Sequence, residues 1–245
     1  MNEANPLHLF LWELEIPILF ISLVASVFFT IHLCKNVSST WPKIGKGQVL
    51  ASVAVAPVVS LVLIFAVIIN LAAPSVTGSA FYVFFYTMIG IVFVFCQALV
   101  MKFFWDLSWR DDLLSLNNKA AVMPFLGGMV GTAIIYAAMN AGDGDGWWCV
   151  VVPFFMCWGL WSLLAVLLLT RGGLAEKITV GRDVNAGRRF SAYLFVSALL
   201  ISWINMGDWT SFAATVIEFL ASWPVLILAF AALLIERQSS RRQVS

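Results

Sequence analysis

The sequence predicts an all-α integral membrane protein with seven transmembrane helices, arranged as three parallel helical hairpins plus one extra helix. Three observations predict it. The 245 residues are 62% hydrophobic and 11% charged, against about 45–50% and about 25% in a soluble domain. Seven stretches meet the roughly 20 apolar residues that a bilayer crossing needs. All 14 Lys and Arg residues fall at alternate ends of those stretches. A mean hydropathy of +0.95 leaves more apolar surface than one globular core can hide, which excludes a water-soluble enzyme.

The spans follow in order. The first, 16–34, has no basic n-region and no small-residue cleavage site, so it is expected to be a retained helix, not a signal peptide. The second, 49–72, stops before Pro74 and Gly78, and the third covers 81–104. The fourth, 119–139, runs into the glycines from Gly142 to Gly146. The fifth covers 147–170; the sixth, 186–206, ends at Gly207; the last covers 211–235. No connector is long enough to separate domains, so 1–245 forms a single membrane domain. Its hairpins are 16–72, 81–140 and 147–206, with 211–235 left over.

The basic residues give the orientation. Lys35, Lys43, Lys46, Lys102, Arg110, Lys119, Arg171, Lys177, Arg182, Arg188, Arg189, Arg237, Arg241 and Arg242 all lie on one side. Short loops rich in Lys and Arg stay in the cytoplasm, which puts the N-terminus outside and the C-terminus inside. The acidic Glu3, Glu13, Glu15, Asp143, Asp145 and Asp208 then lie outside. Trp12, Trp147, Trp148, Trp203 and Trp209 are expected to anchor the outer interface, and Trp41, Trp105 and Trp109 the inner one.

A repeat runs through the even-numbered spans. Each ends outside on an Asn (Asn70, Asn140, Asn205), and 22 residues before each stand Gln48, Asn118 and Asp183. Three residues after those come Ala51, Ala121 and Ala186. Three hairpins that all run outside–inside–outside are parallel repeats about an axis along the membrane normal.

The last two hairpins share more. Asp111 stands seven residues before Asn118, and Glu176 seven before Asp183, with Ala120 and Ala121 in one copy and Ala186 and Gly187 in the other. Over roughly 80–209 these motifs resemble the YjfL-like bacterial inner-membrane family, a domain of unknown function built from two such hairpins. There an acidic residue and an amphipathic turn lead to an Asn-x-Ala-Ala/Gly helix start. The chain departs from that pattern at Asp183, where the family suggests Asn, and at Arg188 and Arg189, where it suggests small residues. The resemblance implies a fold and a bacterial inner-membrane location, and little chemistry.

Candidate sites have two readings each. Gln48, Asn118 and Asp183 are either N-caps of their helices or a polar ring at the cytoplasmic mouth of a cation path. Glu218, inside the last span, is a carboxylate that gates such a path or reaches headgroup water. Gln97 is expected to make an interhelical hydrogen bond. Gly127, Gly128 and Gly131 include a GxxxG spacing that lets helices approach closely, within the fold or in a homo-oligomer. Arg182, Arg188 and Arg189 are candidates for binding anionic lipid or a cytoplasmic protein partner.

Other chemistry is not indicated. Cys149 and Cys157, eight residues apart on one helix, are about 12 Å apart along it, too far for a disulfide. His8 and His32 are too distant to share a haem or metal, and no Cys-x-x-Cys, G-x-S-x-G, H-E-x-x-H or P-loop occurs. The expectation is a non-enzyme with no cofactor, no metal site and no nucleic-acid partner. Its leading function is passage of a small cation or polyamine. The alternative is a non-transporting scaffold or stress-response subunit whose basic loops bind a partner protein or anionic lipid. A seven-helix receptor fits poorly, because the last span lacks a retinal-binding Lys and no D-R-Y or N-P-x-x-Y occurs.

Overall fold

The computed structural model describes residues 13–40 and 47–242. Its long helices are α1 (Glu15–Thr40), α2 (Gly47–Leu71), α3 (Ala80–Phe104), α4 (Lys119–Met139), α5 (Trp148–Arg171), α6 (Val184–Asn205), α7 (Phe212–Leu220) and α8 (Trp223–Arg242). A π-helical turn, Trp109–Ser115, precedes α4, and a short helix, Leu174–Thr179, precedes α6.

Among the described residues, six helical segments are long and apolar enough to cross a membrane: Glu15–Ser39, Ala51–Leu71, Ala80–Phe104, Lys119–Met139, Trp148–Arg171 and Phe212–Ser239. The expected sixth span is present as α6, with 22 residues, but is not among the six. It carries Asn185, Arg188, Arg189 and three buried serines, Ser191, Ser197 and Ser202, which lower its hydropathy. Its buried face packs on the other helices, while Phe195, Val196, Leu199 and Trp203 form an exposed apolar face.

The last expected span also differs, because α7 and α8 are separated at Ala221–Ser222. Pro224 has no N–H to donate to the Leu220 carbonyl, and its ring crowds that position. The Ser222 N–H turns instead to the Phe219 carbonyl at 3.0 Å.

Helix α4 is the centre of the bundle. It contacts α2, α3, α5 and α6, and its pairing with α6 is the most extensive in the molecule. The reason is in the residues. A Cβ on Gly131 would lie 2.7 Å from the Trp161 ring, and one on Gly127 would lie 2.8 Å from the Ser191 hydroxyl. A Cβ on Gly128 would collide with the Met101 side chain, and one on Gly187 with the Ala120 carbonyl oxygen. The glycines expected to serve packing are therefore used inside the fold. Between helices in lipid the apolar driving force is small, so such close backbone approach carries the packing.

Large side chains fill the space on and around α4: its own Phe125 and Tyr136, with Trp105, Trp161, Phe85, Phe154 and Phe190, are each less than 2% exposed. Trp105 is thus a core residue in edge contact with Trp161 and Phe190, not the interfacial anchor its position at a span end suggests. Trp203, by contrast, is exposed on α6. Gln97 accepts a hydrogen bond from the Trp158 indole at 2.8 Å, the interhelical bond expected of it.

The seam makes a testable distinction between two glycines. Gly187→Ala is expected to destabilise by about 1–3 kcal/mol, the usual cost of overpacking. Gly159→Ala, where an added Cβ meets nothing within 4 Å, should be neutral or slightly stabilising, since Ala is the better helix former. Thermal unfolding of the two variants in detergent measures the difference; equal melting temperatures would contradict the close α4–α6 contact.

Candidate functional sites at the two ends of the bundle

The sequence-predicted polar residues lie at helix starts. The Asn118 side chain accepts from the Ala120 N–H at 3.0 Å, and Asp183 accepts from the N–H groups of Asn185 and Ala186 at 2.8 and 3.1 Å. Both are N-caps that satisfy otherwise orphaned donors. Asn118 is buried, and its amide also donates to the Ile178 carbonyl at 2.8 Å, tying one loop to the next. The first turn of α2 contains Gln48, whose side chain lies outside the described residues. Helix α4 contacts both α2 and α6, so the start of α4 lies between elements that begin with the other two.

The two loops before α4 and α6 share one hydrogen-bond pattern. Leu116 N–H donates to Asp111 and Asn118 N–H to Asp112; 65 residues later Gly181 N–H donates to Glu176 and Asp183 N–H to Lys177. Asn117 and Arg182, just before the caps, both have positive φ, 53° and 52°. Such a residue reverses the chain so that the next can enter a helix in extended geometry. Asp112, buried in the first loop, accepts from the Ser108 N–H at 2.7 Å. Burial pushes its carboxyl above the usual carboxylate range, and the Ser108 bond pulls the other way.

The same end holds a carboxylate that the sequence reading passed over. Glu236, near the end of α8, is 3% exposed. Arg189 donates to it through Nε at 2.6 Å and through a terminal guanidinium nitrogen at 3.0 Å, and Lys177 Nζ lies 3.6 Å away. Two parallel N–H donors on one carboxylate form the strong, directional type of ion pair. Arg189 is therefore occupied with holding α8 to α6, whereas Arg182 and Arg188 are exposed. The available signal was a lone Glu at the close of an apolar run, facing a surplus of basic residues in the loops.

At the other end the even-numbered helices finish together. Asn70, Asn140 and Asn205 each donate to the carbonyl four residues back, those of Ala66, Tyr136 and Ile201, at 2.7, 2.8 and 2.8 Å. The chain after them runs side by side. Gly142 N–H donates to the Leu71 carbonyl, Asp143 N–H to the Asp208 carboxylate at 2.7 Å, and Trp209 N–H to the Asp143 carbonyl at 2.7 Å. Gly142 has φ +117°, and a Cβ there would lie 2.5 Å from the Gly207 carbonyl oxygen, so this junction needs glycine.

Beside that junction lies a cavity of about 500 Å³ lined by Glu15, Asp145, Tyr82 and Tyr86. Tyr82 donates to Glu15 at 3.3 Å. Both carboxylates were legible only as outer-face charge, because their meeting depends on how α1 packs on α3. Glu218 joins neither end site. Its side chain is exposed on α7, facing away from the bundle interior.

The ion pair separates two adjacent arginines. Arg189→Ala leaves the Glu236 carboxylate buried, and about 2–4 kcal/mol of stability should be lost, below the ~3–5 of a fully broken buried pair because Lys177 remains. Arg188→Ala should cost under about 0.5 kcal/mol, as for most surface substitutions. Unfolding in detergent reads both, and equal costs would refute the assignment.

Comparison with protein-family models, curated proteins and solved structures finds no match in any of the three.

Proposed function

We propose that the chain is a seven-span protein of a bacterial inner membrane, with its N-terminus outside and its C-terminus in the cytoplasm, that acts as a non-conducting membrane scaffold. Its basic end would engage anionic lipid or a cytoplasmic protein. The observation that carries this reading is the filled interior. Between the two polar ends, buried aromatic side chains fill the space on and around α4, and Asn118 and Asp183 are spent on helix starts. A conduit needs an open path along its length.

The arrangement of three parallel hairpins and the YjfL-like resemblance belong to the same proposal. The shared loop hydrogen bonds at a spacing of 65 residues support a repeat between the second and third hairpins. The matching Asn bonds at the ends of α2, α4 and α6 support extending it to the first. Placement of α6 as a span rests on its 22 residues, its packing on helices that are themselves apolar enough to cross, and its exposed apolar face at Phe195, Val196, Leu199 and Trp203. A second reading, passage of a small cation or polyamine, is favoured by one feature, the acidic cavity at Glu15 and Asp145.

Two measurements test these readings. Proteoliposomes of the full chain should pass neither potassium nor spermidine above the rate of empty liposomes. Flux that falls in Glu15→Gln and Asp145→Asn would replace the scaffold with the conduit. For topology, single cysteines placed at Asp145 and Arg182 in a background without the natural four should differ. A membrane-impermeant thiol reagent should label the first and not the second in intact spheroplasts, and labelling of both would refute the orientation.

A further inference from the structure

The half of the bundle nearest the basic loops is split by a cleft between α1, α2 and α3. One part, about 370 Å³, is lined by Ala54, Ile91 and Val94 among other apolar residues. A second part, about 250 Å³, extends from Phe28 and Leu99 to Lys102, Ser108, Trp109 and Arg110. Leu33, Pro57 and Phe95 line both, so the two adjoin. The cleft exists because α1 leans on α3 and touches α2 little, while small Ala54 and Ala98 leave its walls thin.

Its dimensions and chemistry are those of one lipid chain with an anionic head. From Ile91 to Lys102 is eleven residues, or ~16 Å along a helix, close to half of the ~30 Å hydrocarbon core. The apolar end therefore spans one leaflet, and the mouth lies where headgroups lie. There Lys102 and Arg110 are exposed. The ion pairs among the described residues involve Lys177, Arg189 and Glu236 and neither of these two cations; Lys102 Nζ lies over the Phe103 ring, 5.5 Å from its centroid. The loop also carries three acids, Asp106, Asp111 and Asp112, of which Asp111 accepts from the Ser108 hydroxyl at 2.8 Å and Asp112 from the Ser108 N–H. His32, in edge contact with Trp109 at 6.0 Å between ring centroids, forms an aromatic wall at the same level.

We propose that this cleft binds an anionic phospholipid of the leaflet at the basic end, one acyl chain lying between α1, α2 and α3 and the headgroup phosphate on Lys102 and Arg110. The inference deepens the lipid-engaging reading above, and rests on it for the side of the membrane. It moves the lipid site from Arg182, Arg188 and Arg189 to a different loop, where basic charge adjoins a chain-sized apolar space.

The test uses the full chain, purified and delipidated in detergent, titrated with dioleoyl phosphatidylglycerol or dioleoyl phosphatidylcholine and followed by native mass spectrometry. Phosphatidylglycerol should bind more tightly. The Lys102→Gln/Arg110→Gln double variant should lose about 10- to 30-fold in that affinity, the upper figure corresponding to two contacts of ~1 kcal/mol each, and leave phosphatidylcholine unchanged. Arg182→Gln/Arg188→Gln should bind as the parent does. Ala54→Phe, which fills the cleft from its wall, should weaken both lipids, with its unliganded melting temperature reporting that it folds. Glycerol phosphate, a headgroup without a chain, should not compete. Phosphatidylglycerol affinity within twofold of the parent in the Lys102/Arg110 variant overturns the proposal, as does an equal loss in the Arg182/Arg188 variant or competition by glycerol phosphate. Ion flux by the parent chain with this preference intact would overturn the non-conducting reading alone.

Discussion

The contact on which the rest of the molecule depends is the seam between α4 and α6. Two helix backbones can approach to this distance only where side chains are absent, and Gly127 on α4 and Gly187 on α6 remove them, while Gly131 makes room for Trp161 of α5. Dispersion across such a seam falls steeply with separation, so the small residues set the strength of the pairing. Once α4 and α6 are joined, the loops that lead into them must also lie together, which brings Asn118 to the Ile178 carbonyl. The chain that leaves them is held together as well, through Gly142, Asp143 and Asp208.

Charge follows from that frame. Arg189 sits on the second turn of α6 and faces α8, whose Glu236 would be costly to bury alone. The pair fixes the last helix to the centre. Pro224 separates α8 from α7, and with it the orientation of α8 from that of the exposed Glu218. At the opposite end the carboxylates of Glu15 and Asp145 share a cavity and no Lys or Arg lines it. Among the described residues, the basic end by contrast holds a carboxylate, Glu236, paired with arginine.

The legibility of the sites was uneven for physical reasons. An N-cap depends on residues adjacent in sequence, so Asn118 and Asp183 could be read as caps from their place before a small-residue run. The Gly127–Gly131 spacing likewise signalled close packing, because i and i+4 share a helix face. Gln97 was readable because a buried amide needs a partner, although Trp158 was not identifiable. Glu236 and Glu15 were missed as site residues because their partners lie 47 and 67 positions away. Trp105 was misjudged because a position at a span end does not reveal whether the ring faces lipid or the next helix.

The sequence by itself determined the all-helical class, the apolar lengths that suit a membrane, the segregation of basic residues and the capped starts of α4 and α6. All of these are set by composition, periodicity and near-neighbour hydrogen bonds. Tertiary structure alone decided that α4 is the central helix, that Arg189 is consumed by Glu236, and that an apolar cleft meets Lys102 and Arg110. Each of those depends on which faces of distant helices meet. In a chain that is apolar nearly all round, hydropathy does not distinguish the face turned to lipid from the face turned to a neighbour.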